Sequence, residues 1–300
     1  MRRRPGQPSG GDPAVDWLVS NGLGWLPWRW ALVIALAMGL VMLAARKLPG
    51  RRSVSSGAGE VALLMVAYAA WQYAGSLTFG GLDKAVASGL RIARLEELLG
   101  WPSGADMQAS VLGHEWIMRA ADTYYAAAHV TVFILTLAWV FLRHHGDWPF
   151  ARTTVFLTTG ACLLIQYKPV APPRLVPELG VVDTAARTGL SVYTAIPGAN
   201  QYSAMPSVHI AWAGAVALLI IVIARSPWRW AALVHPLATT WVVVVTGNHY
   251  LMDAAVAVIL LAGACAVTLE IPSQRPQRYV RYRQQRATRQ GQWEPDTVTR

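Results

Sequence analysis

The chain has 300 residues, of which 54% are hydrophobic and 14% are charged, whereas an average soluble domain is roughly 25% charged. A single soluble core of this size cannot bury so much apolar surface, so the composition excludes an ordinary soluble domain and favours a membrane protein. The formal net charge is +10. Because the basic residues gather at the chain ends and between apolar runs, we expect contact with anionic lipid at the cytoplasmic face and no nucleic-acid partner.

Seven apolar stretches have about the 20-residue length that a helix needs to cross the hydrocarbon. They lie at 28–45, 61–79, 122–142, 152–168, 207–224, 230–247 and 250–270. These stretches predict an all-α fold, a polytopic transmembrane helix bundle of six to seven spans. Between the second and third stretches, apolar residues recur at helical spacing, which predicts interfacial helices.

The predicted organisation has four parts. A polar arm at 1–27 precedes two spans and the interfacial segment at 28–121, and a membrane domain that carries the candidate site follows at 122–271. The tail at 272–300 is polar and basic, and we expect it to be disordered. Inside the membrane domain, 169–206 is a long loop rich in Pro and Gly, and loops of that length are uncommon unless they have a function.

Basic residues in the short connections alternate so that they share one side of the membrane with the basic tail. These residues are Arg46, Lys47, Arg51, Arg52, Arg143, Arg152, Arg225 and Arg229. The positive-inside rule makes that side the cytoplasm. The arginines at 2–4 fall on the opposite side, against the rule. We expect an integral protein of a bacterial plasma membrane.

Three polar clusters would be costly in lipid, and the predicted topology puts all of them at the extracytoplasmic face. The first, KPVAPPR at 168–174, ends the fourth span; the second, MPSVH at 205–209, begins the fifth; the third, NHYLMD at 248–253, begins the seventh. Ionisable groups at membrane depth are functional candidates. Their predicted convergence on one face indicates a functional site.

The residue types in these clusters suit phosphoryl transfer through a phosphohistidine. His249 and Asp253 are four apart and share a helix face, so the carboxylate can hold one imidazole nitrogen and leave the other as a nucleophile. His209 can protonate a leaving oxygen near neutral pH. Arg174 offers a planar fork for phosphoryl oxygens, and Ser207 adds a hydroxyl near a helix N-terminus. This chemistry needs no cofactor and no metal.

The motifs APPRL, AMPSVHIAW and TGNHYLMDA resemble the three signature motifs of the type 2 phosphatidic acid phosphatase superfamily of membrane phosphatases. The likeness is closest to the branch that contains inositol phosphorylceramide synthases, and it covers about 120–265. The resemblance implies a nucleophile at His249, its carboxylate partner at Asp253 and an acid at His209. It implies phosphate-binding side chains at Lys168, Arg174 and Ser207.

The chain departs from the family pattern at two places. Five residues separate Lys168 from Arg174, one fewer than in the family's first motif, and Leu175 stands where that motif has a proline. Val243 stands where the third motif usually has an arginine. Fewer cations therefore face the phosphate, which leaves open a phosphodiester substrate rather than a dianionic monoester.

These residues predict a membrane lipid-phosphate phosphatase or a lipid headgroup phosphotransferase with its site at the extracytoplasmic face. Water or an alcohol such as inositol are both open as acceptors. The alternative is a transporter or non-catalytic binding protein for phosphorylated lipids. His129 either faces the site or bonds a neighbouring helix, and Asp183 and Asn200 either contact a headgroup or are solvated loop residues.

Overall fold

A computed structural model describes residues 26–76, 81–190 and 201–289. The all-α prediction is confirmed: the described residues are mainly helical, and their only extended pairing is an isolated bridge between Val170 and Ser203. The α-helices are α1 (Trp28–Arg46), α2 (Arg52–Ser76), α3 (Leu82–Leu98), α4 (Gly104–Leu112), α5 (Glu115–Thr123), α6 (His129–Arg143), α7 (Trp148–Gln166), α8 (Thr184–Thr188), α9 (Val208–Ile223), α10 (Val234–Val245), α11 (Leu251–Glu270) and α12 (Gln277–Arg289). The arginines at 2–4 and Asn200 lie outside the described residues.

Five helical segments of the described chain are long and apolar enough to cross a membrane, where the sequence predicts six to seven spans. They are Trp28–Arg46, Arg52–Tyr73, Glu115–Arg143, His145–Gln166 and Leu251–Glu270. The predicted fifth span is the 16-residue helix α9, about 24 Å long against a hydrocarbon core of about 30 Å. The predicted sixth span divides into a 3₁₀ helix, Pro227–Leu233, and the 12-residue α10. Pro227 lies in the first turn of the 3₁₀ helix and Pro236 in the first turn of α10, where the missing N–H of proline is tolerated. Either proline would disrupt one continuous α-helix through this region.

The described residues form two compact units, and the first consists of those that fall within 1–126, 163–205 and 243–250. In this unit α1 and α2 pack closely as a helical pair. A Cβ atom at Gly59 would lie 2.9 Å from Met42 Sδ, and Ser55 Oγ donates to the Met42 carbonyl over 3.1 Å. Small residues on α2 therefore allow the two helices to approach.

Helix α3 confirms the helical pattern that the sequence predicts between the second and third spans. Its buried residues, Ala85, Gly89, Ile92 and Glu96, form one stripe at helical spacing. The stripe packs on the 171–176 segment of the long loop: Ala171 N donates to the Ala85 carbonyl over 3.0 Å. A Cβ at Gly89 would lie 2.9 Å from the Ala171 carbonyl oxygen, so the contact requires glycine. The predicted interfacial location of α3 stays a prediction.

The second unit consists of the described residues that fall within 127–162, 206–242 and 251–300. Its core surrounds α9, which packs against α6 and α11. Phe133 stacks on Trp212 with ring centroids 4.7 Å apart, and Trp212 Nε1 donates to Thr159 Oγ1 over 3.0 Å. This packing fixes the rotation of α9 about its own axis. It therefore also fixes the directions in which the side chains of its first turn point.

The structure differs from the prediction of a disordered tail, because residues Gln277–Arg289 form α12. The Asp147 carboxylate accepts from the Gln277 amide over 2.7 Å, and Arg275 Nε donates to the Leu269 carbonyl over 2.7 Å. Asp147 thus satisfies an otherwise unpaired amide at the start of α12. A carboxylate 130 residues away in the chain gives no local sequence signal, so the helix could not be predicted from composition.

Candidate functional site

Arg174 joins the first and third motifs within the first unit. It lies in a 3₁₀ turn, Pro173–Leu175, where consecutive prolines restrict φ and hold the backbone. Its amide donates to the Gly247 carbonyl over 3.0 Å, and its Nε donates to Asn248 Oδ1 over 3.0 Å. Only 2% of the side chain is exposed. The guanidinium is therefore held in one orientation next to the third motif.

Asp183 is the acidic partner of Arg174. The Arg174 Nη1 lies 3.5 Å from Asp183 Oδ2 and 3.3 Å from Gln201 Oε1. The other carboxylate oxygen of Asp183 accepts from the Ala186 amide over 3.0 Å and caps α8. A buried guanidinium is destabilising unless it is paired. Asp183 is therefore paired and not only a solvated loop residue, and its contact with a headgroup stays a prediction.

The ring of His249 is oriented by a backbone carbonyl. Its Nδ1 lies 2.8 Å from the Ala204 carbonyl oxygen, and 5% of the residue is exposed. A carbonyl oxygen only accepts, so Nδ1 carries the proton and the neutral imidazole has its lone pair on Nε2. A main-chain oxygen thus lies at Nδ1, and the predicted role of the Asp253 carboxylate as partner of His249 stays a prediction.

The Ala204 carbonyl is itself positioned by the long loop. Val170 N donates to the Tyr202 carbonyl over 2.7 Å, and Ala204 N donates to the Val170 carbonyl over 3.2 Å. This short parallel pairing fixes the end of the loop against the segment that leads to Arg174. Lys168 lies just before the pairing and is exposed, and its predicted contact with phosphate stays a prediction.

A turn at Gly247 brings the third motif back toward Arg174. Gly247 has φ of 70°, a conformation that favours glycine. A Cβ there would lie 2.7 Å from Val181 Cγ1 and 3.2 Å from Arg174 Cβ. Beside it, Asn248 Nδ2 donates to Thr246 Oγ1 over 2.9 Å. The polar TGNHY sequence therefore forms a fixed turn between α10 and α11.

Gln108 supports this turn and was not identified from the sequence. Its Nε2 donates to the carbonyls of Val182 and Val245, both over 2.9 Å, and its Oε1 accepts from the Val182 amide over 2.8 Å. Only 1% of the residue is exposed. One buried amide thus holds the residue before Asp183 and the last residue of α10. A single glutamine in an amphipathic helix gives no sequence signal for such a role.

Asp122 is a second buried polar residue that the sequence did not single out. Its two carboxylate oxygens accept from the hydroxyls of Thr184 and Thr188, each over 2.8 Å. These contacts attach α8 to α5, and the residue is 1% exposed. Because Asp183 caps α8, Asp122 indirectly fixes the Asp183 carboxylate. Asp122 is the first residue of the predicted apolar span at 122–142, so the sequence pattern gave no indication of a buried polar contact there.

In the second unit, the structure confirms that Ser207 lies at a helix N-terminus. Ser207 is the N-cap of α9, and its Oγ accepts from the Ile210 amide over 3.3 Å. Its own amide lies 3.5 Å from the Asp253 carbonyl oxygen, so the second motif and the first turn of α11 are adjacent. The side chain of Asp253 is buried, with 0% exposure.

His209 and His129 are neighbours in the second unit. Their ring centroids are 4.6 Å apart, with an angle of 60° between the ring planes. His129 is 4% exposed and directly follows a π-helical turn, Tyr124–Ala128, a distortion that is frequent at functional sites. This contact fits both alternatives left open for His129, because His209 is a candidate site residue and also lies on a neighbouring helix, α9.

Comparison with known proteins supports the assignment from motifs. A sequence model described as the PAP2 superfamily matches residues 90–267, which is more than half of the chain and includes every candidate site residue. No curated protein and no solved structure matches the chain. Membership indicates a phosphatase-type activity, and the apolar helices indicate an integral membrane location. The chain is an integral membrane protein that belongs to the PAP2 superfamily.

Proposed function

We propose that the protein is a lipid-phosphate phosphatase or lipid headgroup phosphotransferase, similar to inositol phosphotransferases, that acts through a phosphohistidine at the extracytoplasmic face of a bacterial plasma membrane. The observation that carries the proposal is the 2.8 Å contact between His249 Nδ1 and the Ala204 carbonyl oxygen. This contact supports a ring proton on Nδ1, and with it Nε2 as the nucleophilic nitrogen of the proposed mechanism.

In the first step, the lone pair of His249 Nε2 attacks the phosphorus of a membrane lipid. The bond between phosphorus and the leaving ester oxygen breaks, its electron pair stays on that oxygen, and the oxygen takes a proton from the imidazolium of His209. Arg174 and Ser207 bind the non-bridging oxygens. The Asp253 carboxylate stabilises the positive charge that develops on His249, as the family resemblance implies.

In the second step, water or an alcohol attacks the phosphohistidine. The neutral His209 takes the proton of the attacking oxygen, the bond between phosphorus and Nε2 breaks, and the electron pair returns to Nε2. Water gives a phosphatase, and an alcohol such as inositol gives a phosphotransferase. The resemblance of the motifs to those of the inositol phosphorylceramide synthase branch supports transfer, and the valine at 243 leaves open a phosphodiester substrate.

Rapid chemical quench with phosphorus-labelled lipid tests the proposal. We expect the wild-type protein to form an acid-labile, base-stable phosphoenzyme, and His249→Ala to form none. His209→Ala removes a proton donor, so a lipid with a good leaving group should partly rescue it and leave His249→Ala inactive. His145→Ala is the matched control, because His145 is exposed and its hydrogen bond is a local one, to the Phe141 carbonyl.

Two results would contradict the proposal. A phosphoenzyme that persists in His249→Ala would exclude His249 as the nucleophile. Turnover that is abolished by a chelator and restored by Mg²⁺ would indicate metal-dependent chemistry instead. A transporter or non-catalytic binding protein would bind phosphorylated lipid and form no phosphoenzyme in any variant.

A further inference from the structure

The candidate phosphate-binding arginine already has an anion beside it. Arg174 Nη1 lies 3.5 Å from Asp183 Oδ2, and the two side chains are 2% and 31% exposed. The guanidinium is therefore buried, while the carboxylate is at the accessible edge of the pair. A phosphoryl group that binds Arg174 must share the guanidinium with this carboxylate.

The position of the carboxylate is fixed by the surrounding structure. Asp183 caps α8 through the Ala186 amide, and α8 is attached to Asp122 by two threonine hydroxyls. The preceding residue, Val182, is held at both its amide and its carbonyl by the buried Gln108 side chain. The residues that precede and follow Asp183 in the chain are thus both held in place, so its proximity to Arg174 does not depend on a flexible loop.

This pairing changes the charge that a substrate meets. The guanidinium and the carboxylate together carry no net charge, and the third motif supplies Val243, which is buried at 1% exposure, where the family pattern supplies an arginine. A phosphomonoester near neutral pH carries up to two negative charges on phosphorus, and a phosphodiester carries one. Repulsion from Asp183 is therefore larger for the monoester.

We propose that Asp183 is a specificity-determining residue that selects phosphodiester lipids over phosphomonoester lipids at Arg174. The inference rests on the proposed function and refines its substrate class. Attack of His249 Nε2 on a diester breaks one phosphorus–oxygen ester bond and releases one alcohol, which takes the proton of His209. The second ester stays on the phosphorus of the intermediate and passes with it to the acceptor oxygen, so the product is again a diester when the acceptor is an alcohol.

The test compares two lipids that differ by one methyl group: short-chain phosphatidic acid, a monoester, and phosphatidylmethanol, its methyl diester. The full-length protein is assayed for release of diacylglycerol at a pH where the monoester is mainly dianionic. Asp183→Asn is the decisive variant, since asparagine caps a helix as well as aspartate does and lacks the charge. We expect wild type to prefer the diester, and Asp183→Asn to raise the monoester-to-diester ratio of kcat/KM by about tenfold.

Three control variants separate charge from structure. Asp183→Glu keeps the charge and should keep the wild-type ratio. Asp183→Ala loses the cap as well, so it should shift the ratio and also lower the thermal unfolding midpoint. Asp106→Asn removes an exposed carboxylate from the first turn of another helix of the same unit, α4, and should leave the ratio unchanged.

Binding measurements distinguish failure of this inference from failure of the proposed function. Dissociation constants of both lipids are measured in the His249→Ala background, where turnover is not required. The expected result is that Asp183→Asn strengthens monoester binding relative to diester binding. An unchanged ratio in Asp183→Asn, in binding or in kcat/KM, would overturn the inference. Absence of a phosphoenzyme in wild type, with the binding shift present, would instead overturn the proposed mechanism and leave the charge selection standing.

Discussion

At the scale of single residues, the candidate site consists of candidate reactive side chains and of the groups that orient them. His249, His209 and Arg174 have side chains whose chemistry is evident from residue type and motif spacing. The support of His249 is the carbonyl of Ala204, a group that every residue has, so no sequence pattern distinguishes it. Gln108 likewise acts through main-chain atoms 74 and 137 positions away. Contacts of this kind follow from tertiary structure alone.

Gly247 is the position where a single methyl group should affect both stability and activity. Its φ is 70°, and an L-residue in this region is destabilised by about 1–2 kcal/mol. The added Cβ would also lie 2.7 Å from Val181 Cγ1 and 3.2 Å from Arg174 Cβ, which displaces the turn that carries Asn248. We expect Gly247→Ala to lower the thermal unfolding midpoint in detergent and to slow phosphoenzyme formation.

The matched control for this prediction is Gly263→Ala. Gly263 lies inside α11 and has no atom within 4 Å of an added Cβ, so alanine there should be neutral or slightly stabilising through its higher helix propensity. If Gly247→Ala and Gly263→Ala had the same unfolding midpoint and the same phosphoenzyme rate, the turn at Gly247 would not be a constraint on the site.

At the scale of elements, hydropathy predicted helices well where one uninterrupted apolar run fills the helix. The predicted span at 28–45 corresponds to Trp28–Arg46, and that at 250–270 corresponds to Leu251–Glu270. The prediction was poorer at 230–247, because Pro227 and Pro236 restrict the helical geometry without lowering hydropathy much. It was also wrong for α12, whose start depends on the distant Asp147.

Helix α12 provides a test of the predicted contact with anionic lipid. It begins at Gln277, shortly after α11 ends at Glu270, so a membrane-spanning α11 places α12 close to the bilayer surface. It contains five arginines and no acidic residue, and Arg281, Arg283 and Arg286 are exposed. Basic residues near a charged surface are attracted by about 1 kcal/mol each, and salt weakens this attraction.

We expect amide hydrogen exchange in 277–289 to be slower in nanodiscs that contain phosphatidylglycerol than in nanodiscs of phosphatidylcholine. Replacing the three exposed arginines by glutamine should abolish the difference, and high salt should reduce it. Arg187→Gln is the control, because Arg187 is exposed on α8 of the other unit. Equal exchange in both lipids for the wild-type protein would show that α12 does not bind anionic headgroups.

At the scale of the whole molecule, the distribution of basic residues predicts which membrane face carries the site. Arginines and lysines of the short connections are predicted to share one side with the basic tail, and the positive-inside rule makes that side the cytoplasm. The loop that carries Asp183 and Arg174 then lies outside. The arginines at 2–4 oppose this assignment, so charge counting alone leaves a conflict that a direct measurement must decide.

Cysteine labelling in intact cells provides that measurement. Glu178 and Gln285 are both exposed and lie in the long loop and in α12, so each can be replaced by cysteine without disturbing a buried contact. The native Cys162 and Cys265 are first replaced by alanine to remove background. We expect a membrane-impermeant maleimide to label Glu178→Cys in intact cells and to label Gln285→Cys only after the cells are permeabilised.

Labelling of Gln285→Cys alone in intact cells would reverse the topology and place the site in the cytoplasm, where substrate lipids of the inner leaflet would reach it. Because the charge pairing of Arg174 with Asp183 is independent of orientation, that result would change the accessible lipid pool and leave the predicted preference for diesters intact.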